Sequence, residues 1–483
     1  MAIRALCRAA LIAGTFALAA CGEAESGPLR VSAIGGPPRL ANPNLQPLDP
    51  PASFLTEALA QGLVRFDASG EIEPALAQSW IVSDDSLRYT FRIRRAQWAD
   101  GSPVTAQQVA ARLRAALSRA SRNPFKPTLG AVDNIVAMTD FVLEISLRGP
   151  RPNFLQLLAH PEMAVLQNGA GTGPYRLSEA GAAGVRLSLP RGEDEEAAEA
   201  NPDILLRGEQ AARAIARFAA GDADLVLGGT AGDLALARAA DLPVARTVFD
   251  PVGGMFGLAF TGGGGPLADT AVRRALAMAV DRDALAAALG APRLAARTSL
   301  VAPGVQELPA PAQPDWAGAP LPERREAAAR AIAGLGPEIP IRLRVAMPEG
   351  PGYRLVFAHL RRDWRMIGVE AEWAAMGAPA DLVLIDRVAP ANLASWYLRH
   401  FTCDLSAICD LGADQALLAA RLAPGPADRL AQLSVADRIL TDLVPFIPLT
   451  APVRWSLVSP RLTGFRPNMF ARHPAVVLIA ERQ

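Results

Sequence analysis

Few residues in this chain are spaced for chemistry, and the cysteines come first. Cys403 and Cys409, separated by five residues, have no second pair and no nearby histidine cluster to complete a tetrahedral zinc site. A local disulfide is therefore expected, with two free buried thiols as the alternative. Closing so short a loop contributes about 2 kcal/mol by the chain-entropy relation. His160, His359, His400 and His473 are scattered without metal-ligand spacing, so neither a metal nor a cofactor is expected. Hydrolysis would need a nucleophile beside a base, yet the chain has neither a Gly-x-Ser-x-Gly elbow nor a His-Glu-x-x-His helix. The glycine run Gly262–Gly265 is not followed by Lys-Ser or Lys-Thr, so it is not a phosphate loop and reads as a flexible connector into a following lobe. No enzyme is expected, although a triad assembled from distant residues would escape any motif search.

The remaining cysteines, Cys7 and Cys21, lie in a segment that reads as an address. Arg4 and Arg8 open it, Ala9 to Ala17 is apolar, and Leu18-Ala19-Ala20-Cys21-Gly22 follows. This resembles a bacterial lipobox, in which Cys21 becomes the acylated first residue after residues 1–21 have served as an export signal; an ordinary cleaved signal with a chance cysteine is the alternative. The apolar run is too short for a permanent span. Acyl chains contribute about 0.8 kcal/mol per buried methylene, enough for a stable tether when several are attached. Beyond Cys21 every alanine-rich stretch is interrupted by arginines or acids, so a soluble body on a lipid leash is expected. At 483 residues the chain suggests about three lobes. Its 48 basic and 48 acidic residues cancel, which leaves no broad basic surface for nucleic acid.

The elements that would position a site are legible in places. Leu29 to Ile34 is a strand candidate, Pro37 to Pro51 a proline-rich extended crossing, Phe54 to Gln61 a helix, and Leu63 to Phe66 a strand. Leu87, Tyr89, Phe91 and Ile93 alternate with polar residues, the period of a strand with one buried face. Thr105 and Gln108 form a capping box for an amphipathic helix carrying Val109, Leu113 and Leu117. Asp269 and Asp281 are expected as N-caps, the first for a helix whose Val272, Ala275, Leu276, Ala279 and Val280 fall at core spacing. Gly173 is expected in a tight turn, where it tolerates a positive φ and Pro174 fixes the next residue, and Trp80 and Trp98 read as core or surface anchors rather than ligand platforms.

Several segments, in order, resemble one family. Glu57-Ala58-Leu59-Ala60-Gln61-Gly62-Leu63-Val64, Glu73 to Trp80, Tyr89 to Arg94 and Trp98 to Ala106 are similar to the signature of family 5 extracellular solute-binding proteins, the oligopeptide, dipeptide and nickel receptors of ABC importers. Gly171-Thr172-Gly173-Pro174-Tyr175, Gly221 to Leu225, Val272 to Leu276 and Val444 to Leu449 continue it over nearly the whole mature chain. The resemblance implies an α/β, periplasmic-binding-protein-like type II fold of the three-lobed cluster C kind. Lobe I would be discontinuous (22–55, 165–265 and 450–483), with lobe II at 56–164, lobe III at 266–449, and a ligand cleft between lobes I and III. It further implies a monomer, lipid-anchored in the periplasm or cell envelope, that captures short peptides and delivers them to ABC permease subunits in the inner membrane. A non-peptide solute (glutathione-like, sugar, nickel) or a sensor role is the alternative.

The same resemblance singles out ligand-binding candidates. Peptide receptors of this family carry, after the strand matching Leu382-Val383-Leu384-Ile385, a tryptophan and then an aspartate that holds the peptide's amine. Here the segment runs Asp386-Arg387-Val388-Ala389-Pro390, with Pro390 at the aspartate's place and Asp386 near enough to substitute. Arg387 could meet a carboxylate or pair with Asp386. Trp396 and Tyr397 could line the cleft or pack lobe III, and Arg39 and Asn44 could approach ligand or belong to a solvated linker. Alanine at Asp386 or Arg387 is expected to lower ligand affinity and leave the empty protein's melting temperature nearly unchanged.

Overall fold

The computed structural model describes residues 27–151, 153–181, 184–190, 202–335 and 341–479; the export signal expected at 1–21 and Cys21 lie outside them. Among the described residues no helix is long and apolar enough to cross a membrane.

Three main sheets organise the chain. The first has seven strands in the order Thr247–Phe249, Arg454–Val458, Leu225–Thr230, Leu29–Ile34, Ile204–Glu209, Gly184–Ser188 and Arg176–Gly181. Leu29–Ile34 runs parallel to both neighbours, with Leu29 opposite Ile204 and Val31 opposite Leu225. Its near-continuous burial fits a strand covered on both faces. A four-stranded antiparallel sheet (Ala77–Val82, Arg88–Ile93, Val142–Leu147, Val132–Thr139) and the hairpin Val64–Phe66 with Ile72–Pro74 follow in the chain. Tyr89, Phe91 and Ile93 turn inward there, as the alternation requires. Trp98 is buried in the same core and donates Nε1–H to Gln108 Oε1 at 3.0 Å, while Gln108 and Thr105 close the expected capping box.

The third sheet has five strands: Val369–Ala375, Ile341–Met347, Leu382–Val388, Gly254–Phe260 and Phe446–Thr450. The strand Gly254–Phe260, expected in the first lobe's 165–265 segment, hydrogen-bonds into this sheet instead. The chain therefore passes from the first sheet to the third at 250–253 and returns at 451–453. The Gly262–Gly265 run consequently leaves a strand inside the third sheet and is not the connector between lobes. Asp269 and Asp281 cap the helices Thr270–Ala279 and Arg282–Leu289 through Ala271 N–H at 2.8 Å and Ala284 N–H at 3.0 Å.

Two local expectations are corrected. The helix expected from Phe54 begins at Pro50, with both prolines in the first turn, where a missing N–H costs no intrahelical bond, and with Asp49 as N-cap. Gly173 does not have a positive φ. Its lack of a side chain is needed because an added Cβ would run into the Ala58 carbonyl and the Leu59–Ala60 backbone.

Candidate functional site

A cavity of about 670 Å³ opens between the sheets. The first sheet contributes Leu227–Thr230 and Arg454–Ser456, and the helix Pro50–Leu59 contributes Ser53, Phe54 and Glu57, which fall on one helical face. The connection between the second sheet's strands adds Pro124, Phe125 and Thr128. From the third sheet's side come Arg387–Pro390, then Trp396, Arg399 and His400, again at helical spacing around the short helix Ala394–Arg399. The C-terminal tail, Phe470–His473, closes the floor.

Charges on the floor are mostly matched. Arg472 donates to Glu162 Oε1 at 3.0 Å and also reaches Ser53 Oγ. Burial works against the Glu162 carboxylate, but the Arg472 guanidinium outweighs it and holds Glu162 below the usual range. Glu57 shares the same arginine without an ion pair, and burial, with Glu162 adding, pushes its carboxyl up to about 7. Burial, with Arg472 adding, drives His160 down to about 4, so its neutral ring bonds the Pro390 carbonyl at 2.7 Å through Nε2. Asp250 is buried, accepts from Asn468 N–H at 2.9 Å, and lies 3.2 Å from His473 Nε2.

The wall from the third sheet differs. Arg387 is exposed, and no carboxylate pairs with it among the described residues. Arg399 donates to the Pro127 carbonyl across the cavity mouth, and burial lowers its pKa to about 10, with Arg421 and Arg429 adding. Between them His400 is held down to about 4, chiefly by burial, with Arg387 and Arg399 both opposing its charge. Trp396 stands edge-on to His400, ring centroids 4.8 Å apart.

The structure sorts the sequence candidates in pairs. Asp386 and Arg387 are consecutive on the strand Leu382–Val388, opposite Phe256 and Met255, so their side chains take opposite faces. Arg387 faces the cavity. Asp386 faces away and receives Arg454 Nη1–H at 2.7 Å and Tyr353 O–H at 2.8 Å, with a side chain only 7% exposed. It ties the third sheet to the first rather than standing free for a ligand, which corrects the expectation of an unchanged melting temperature for its replacement. Trp396 and Tyr397 diverge likewise, being neighbours on a helix. Trp396 lines the cavity, whereas Tyr397 is buried in the third lobe's core, beside a separate cavity of about 340 Å³. Arg39 is exposed and lies outside the cavity lining. Asn44 also lies outside it and accepts from Asn123 Nδ2–H at 3.0 Å, fastening the early extended segment to the second sheet's region. Cys403 and Cys409 are joined as a disulfide with Cα atoms 5.0 Å apart.

Sequence reasoning missed Glu57, His160, Glu162, Asp250, Arg399, His400, Arg454, Arg472 and His473, which come from separate segments and meet only in the fold. The one local hint is polarity in apolar company: His160-Pro161-Glu162 and Arg472-His473 interrupt otherwise hydrophobic stretches.

A two-way crossing between mixed sheets with a walled cavity between them is the architecture of a periplasmic-type binding protein, and the chain belongs to the bacterial extracellular solute-binding proteins, family 5, whose model matches residues 71–398. Among its relatives is the periplasmic murein peptide-binding protein MppA of Escherichia coli, 25% identical over 465 residues covering 85% of each chain. The solved structure of the Escherichia coli murein tripeptide binding protein MppA superposes with a TM-score of 0.81 at 21% identity, covering 94% of this chain and 98% of that one. Haemophilus influenzae OppA, in complex with RPPGFSPFR, also gives 0.81, at 17% identity over 93% and 98%.

Proposed function

We propose that this chain is the lipid-anchored substrate-binding protein of an ABC importer, a monomer that captures short peptides in the cavity between its first and third sheets and hands them to a membrane permease. The observation that carries this reading is the cavity of about 670 Å³, walled by strands of the first and third sheets and by the connection between the second sheet's strands, with Asp250 of the first crossing and Arg454, just after the second, in its lining. A cavity of that kind can be opened and shut by bending two short segments, so ligand bound to both walls favours the shut form. Turning a mostly open population into a mostly closed one needs about 5.5 kcal/mol of differential binding. Backbone hydrogen bonds supply only about 1 kcal/mol each, so an extended peptide must make several. In this reading lobe I comprises 22–55, 165 to the first crossing, and the tail after the second; lobe II is 56–164; lobe III lies between the crossings.

Thermal shift against di- to pentapeptides tests the ligand class, since a ligand of the folded state raises the melting temperature by mass action. A response to sugars alone, with every peptide silent, would remove the peptide assignment. Cys21→Ser tests the tether: the variant should leave the envelope membrane fraction, and continued retention would contradict lipid anchoring.

A further inference from the structure

The cavity's two long walls are not electrostatically equivalent, and the difference bears on which end of a ligand is held. Every acidic side chain on the floor is engaged or has its charge opposed by burial. Glu162 is paired with Arg472, Asp250 is occupied by Asn468 and His473, and Glu57, beside Glu162 and Arg472, has its charge opposed by burial, which pushes its carboxyl up to about 7. Asp386, the acid that sequence pattern would offer to a free amine, faces the other side of its strand and is saturated by Arg454 and Tyr353. On the opposite wall Arg387 has no carboxylate partner among the described residues, and Arg399 spends a donor on a neutral carbonyl. His400 and Trp396 sit beside these cations, and His400 is neutral, so it adds a donor or acceptor without cancelling their charge.

Resting on the reading of this cavity as the ligand site, we propose that Arg387, with Arg399 beside it, is an anion anchor, and that the ligand is held by a carboxylate on the third lobe's wall while its amine is not required. The class of cargo is then an acidic or amine-blocked peptide or acylated amino acid rather than a peptide recognised by its free N-terminus. A guanidinium meets a carboxylate with two parallel N–H donors, and a partly dried cleft strengthens that pairing over its value in water. Placing the anchor on one lobe also helps closure, because the anion docks there first and the rest of the ligand then draws in the other wall.

The test is isothermal titration of the purified protein with one tripeptide in three forms: free, N-acetylated, and C-amidated. The expected result is that acetylation changes affinity by less than about threefold, amidation lowers it by at least tenfold, and Arg387→Ala erases the difference between acid and amide. Arg387→Lys should restore part of it, since charge returns without the paired donors. Loss of binding on acetylation, matched by Glu57→Gln, would make Glu57 an amine anchor and overturn the assignment while leaving the peptide reading intact. Silence of all three forms would remove the peptide reading. The anchor is then judged on N-acetyl amino acids and small dicarboxylates: binding abolished by Arg387→Ala upholds it, and no binding overturns it.

Discussion

Asp386→Ala should destabilise the empty protein, whereas Arg387→Ala, one residue away, should not. The aspartate receives Arg454 at 2.7 Å and Tyr353 at 2.8 Å, and the Asp386 and Arg454 side chains are 7% and 16% exposed. Removing one partner of a buried ion pair costs roughly 3–5 kcal/mol, because the other charge is left without compensation. Arg454 would keep its bonds to the Val453 and Asp386 carbonyls at 2.8 and 3.2 Å, which offsets part of that, leaving about 2–3 kcal/mol. At roughly 2 °C per kcal/mol, the low end for large units, the melting temperature falls by about 5 °C. Arg387 is exposed and unpaired among the described residues, so its replacement stays within about 0.5 kcal/mol. Differential scanning calorimetry of both variants and of Arg454→Ala measures this, and the double variant Asp386→Ala with Arg454→Ala should cost less than the two singles together. An Asp386→Ala protein that melts with wild type yet binds ligand at least tenfold more weakly would refute the reasoning and return Asp386 to the ligand.

Other consequences are independent of the cleft. Asp437, buried in the helix Pro426–Leu443, accepts from Ala312 N–H at 2.6 Å with one carboxyl oxygen unpartnered, and burial pushes it up to about 6. Since the folded state holds this proton more tightly than the unfolded chain, its stabilising effect is fullest below the ordinary aspartate range and is lost as pH rises through about 6. Asp437→Asn should therefore gain on wild type between pH 5 and pH 8, by at most about 3 kcal/mol, and a melting-temperature difference that is flat across that range would contradict it. Cys403→Ser with Cys409→Ser should cost about 2 kcal/mol; if a reductant leaves the wild-type melting curve in place, the disulfide contributes nothing.

What could be read from the sequence was whatever is written in short periods. The Tyr89–Ile93 alternation, the Thr105 capping box and the Asp269 and Asp281 caps each depend on residues within a turn or a strand of one another, and each is present in the fold. The crossing point was misplaced because a fully buried strand such as Gly254–Phe260 has no alternation to show which sheet it joins. The cleft was largely hidden for a related reason: its charges come from the helix after the first strand, the connection before the first sheet's hairpin, the third sheet and the tail, and no local spacing links Glu57 to Glu162 or Arg472. One feature of the site was nevertheless available in advance. Adjacent residues on a strand face opposite ways, and adjacent residues on a helix point about 100° apart. On that geometry Asp386 and Arg387 are expected to diverge, and so are Trp396 and Tyr397. The sequence pairs each posed a choice of one, and the fold resolves it by giving the buried partner to the scaffold: Asp386 to Arg454 and Tyr353, Tyr397 to the third lobe's core. The members left facing the cavity are an arginine and a tryptophan, a pairing suited to an anionic ligand with an apolar body rather than to a bare ammonium.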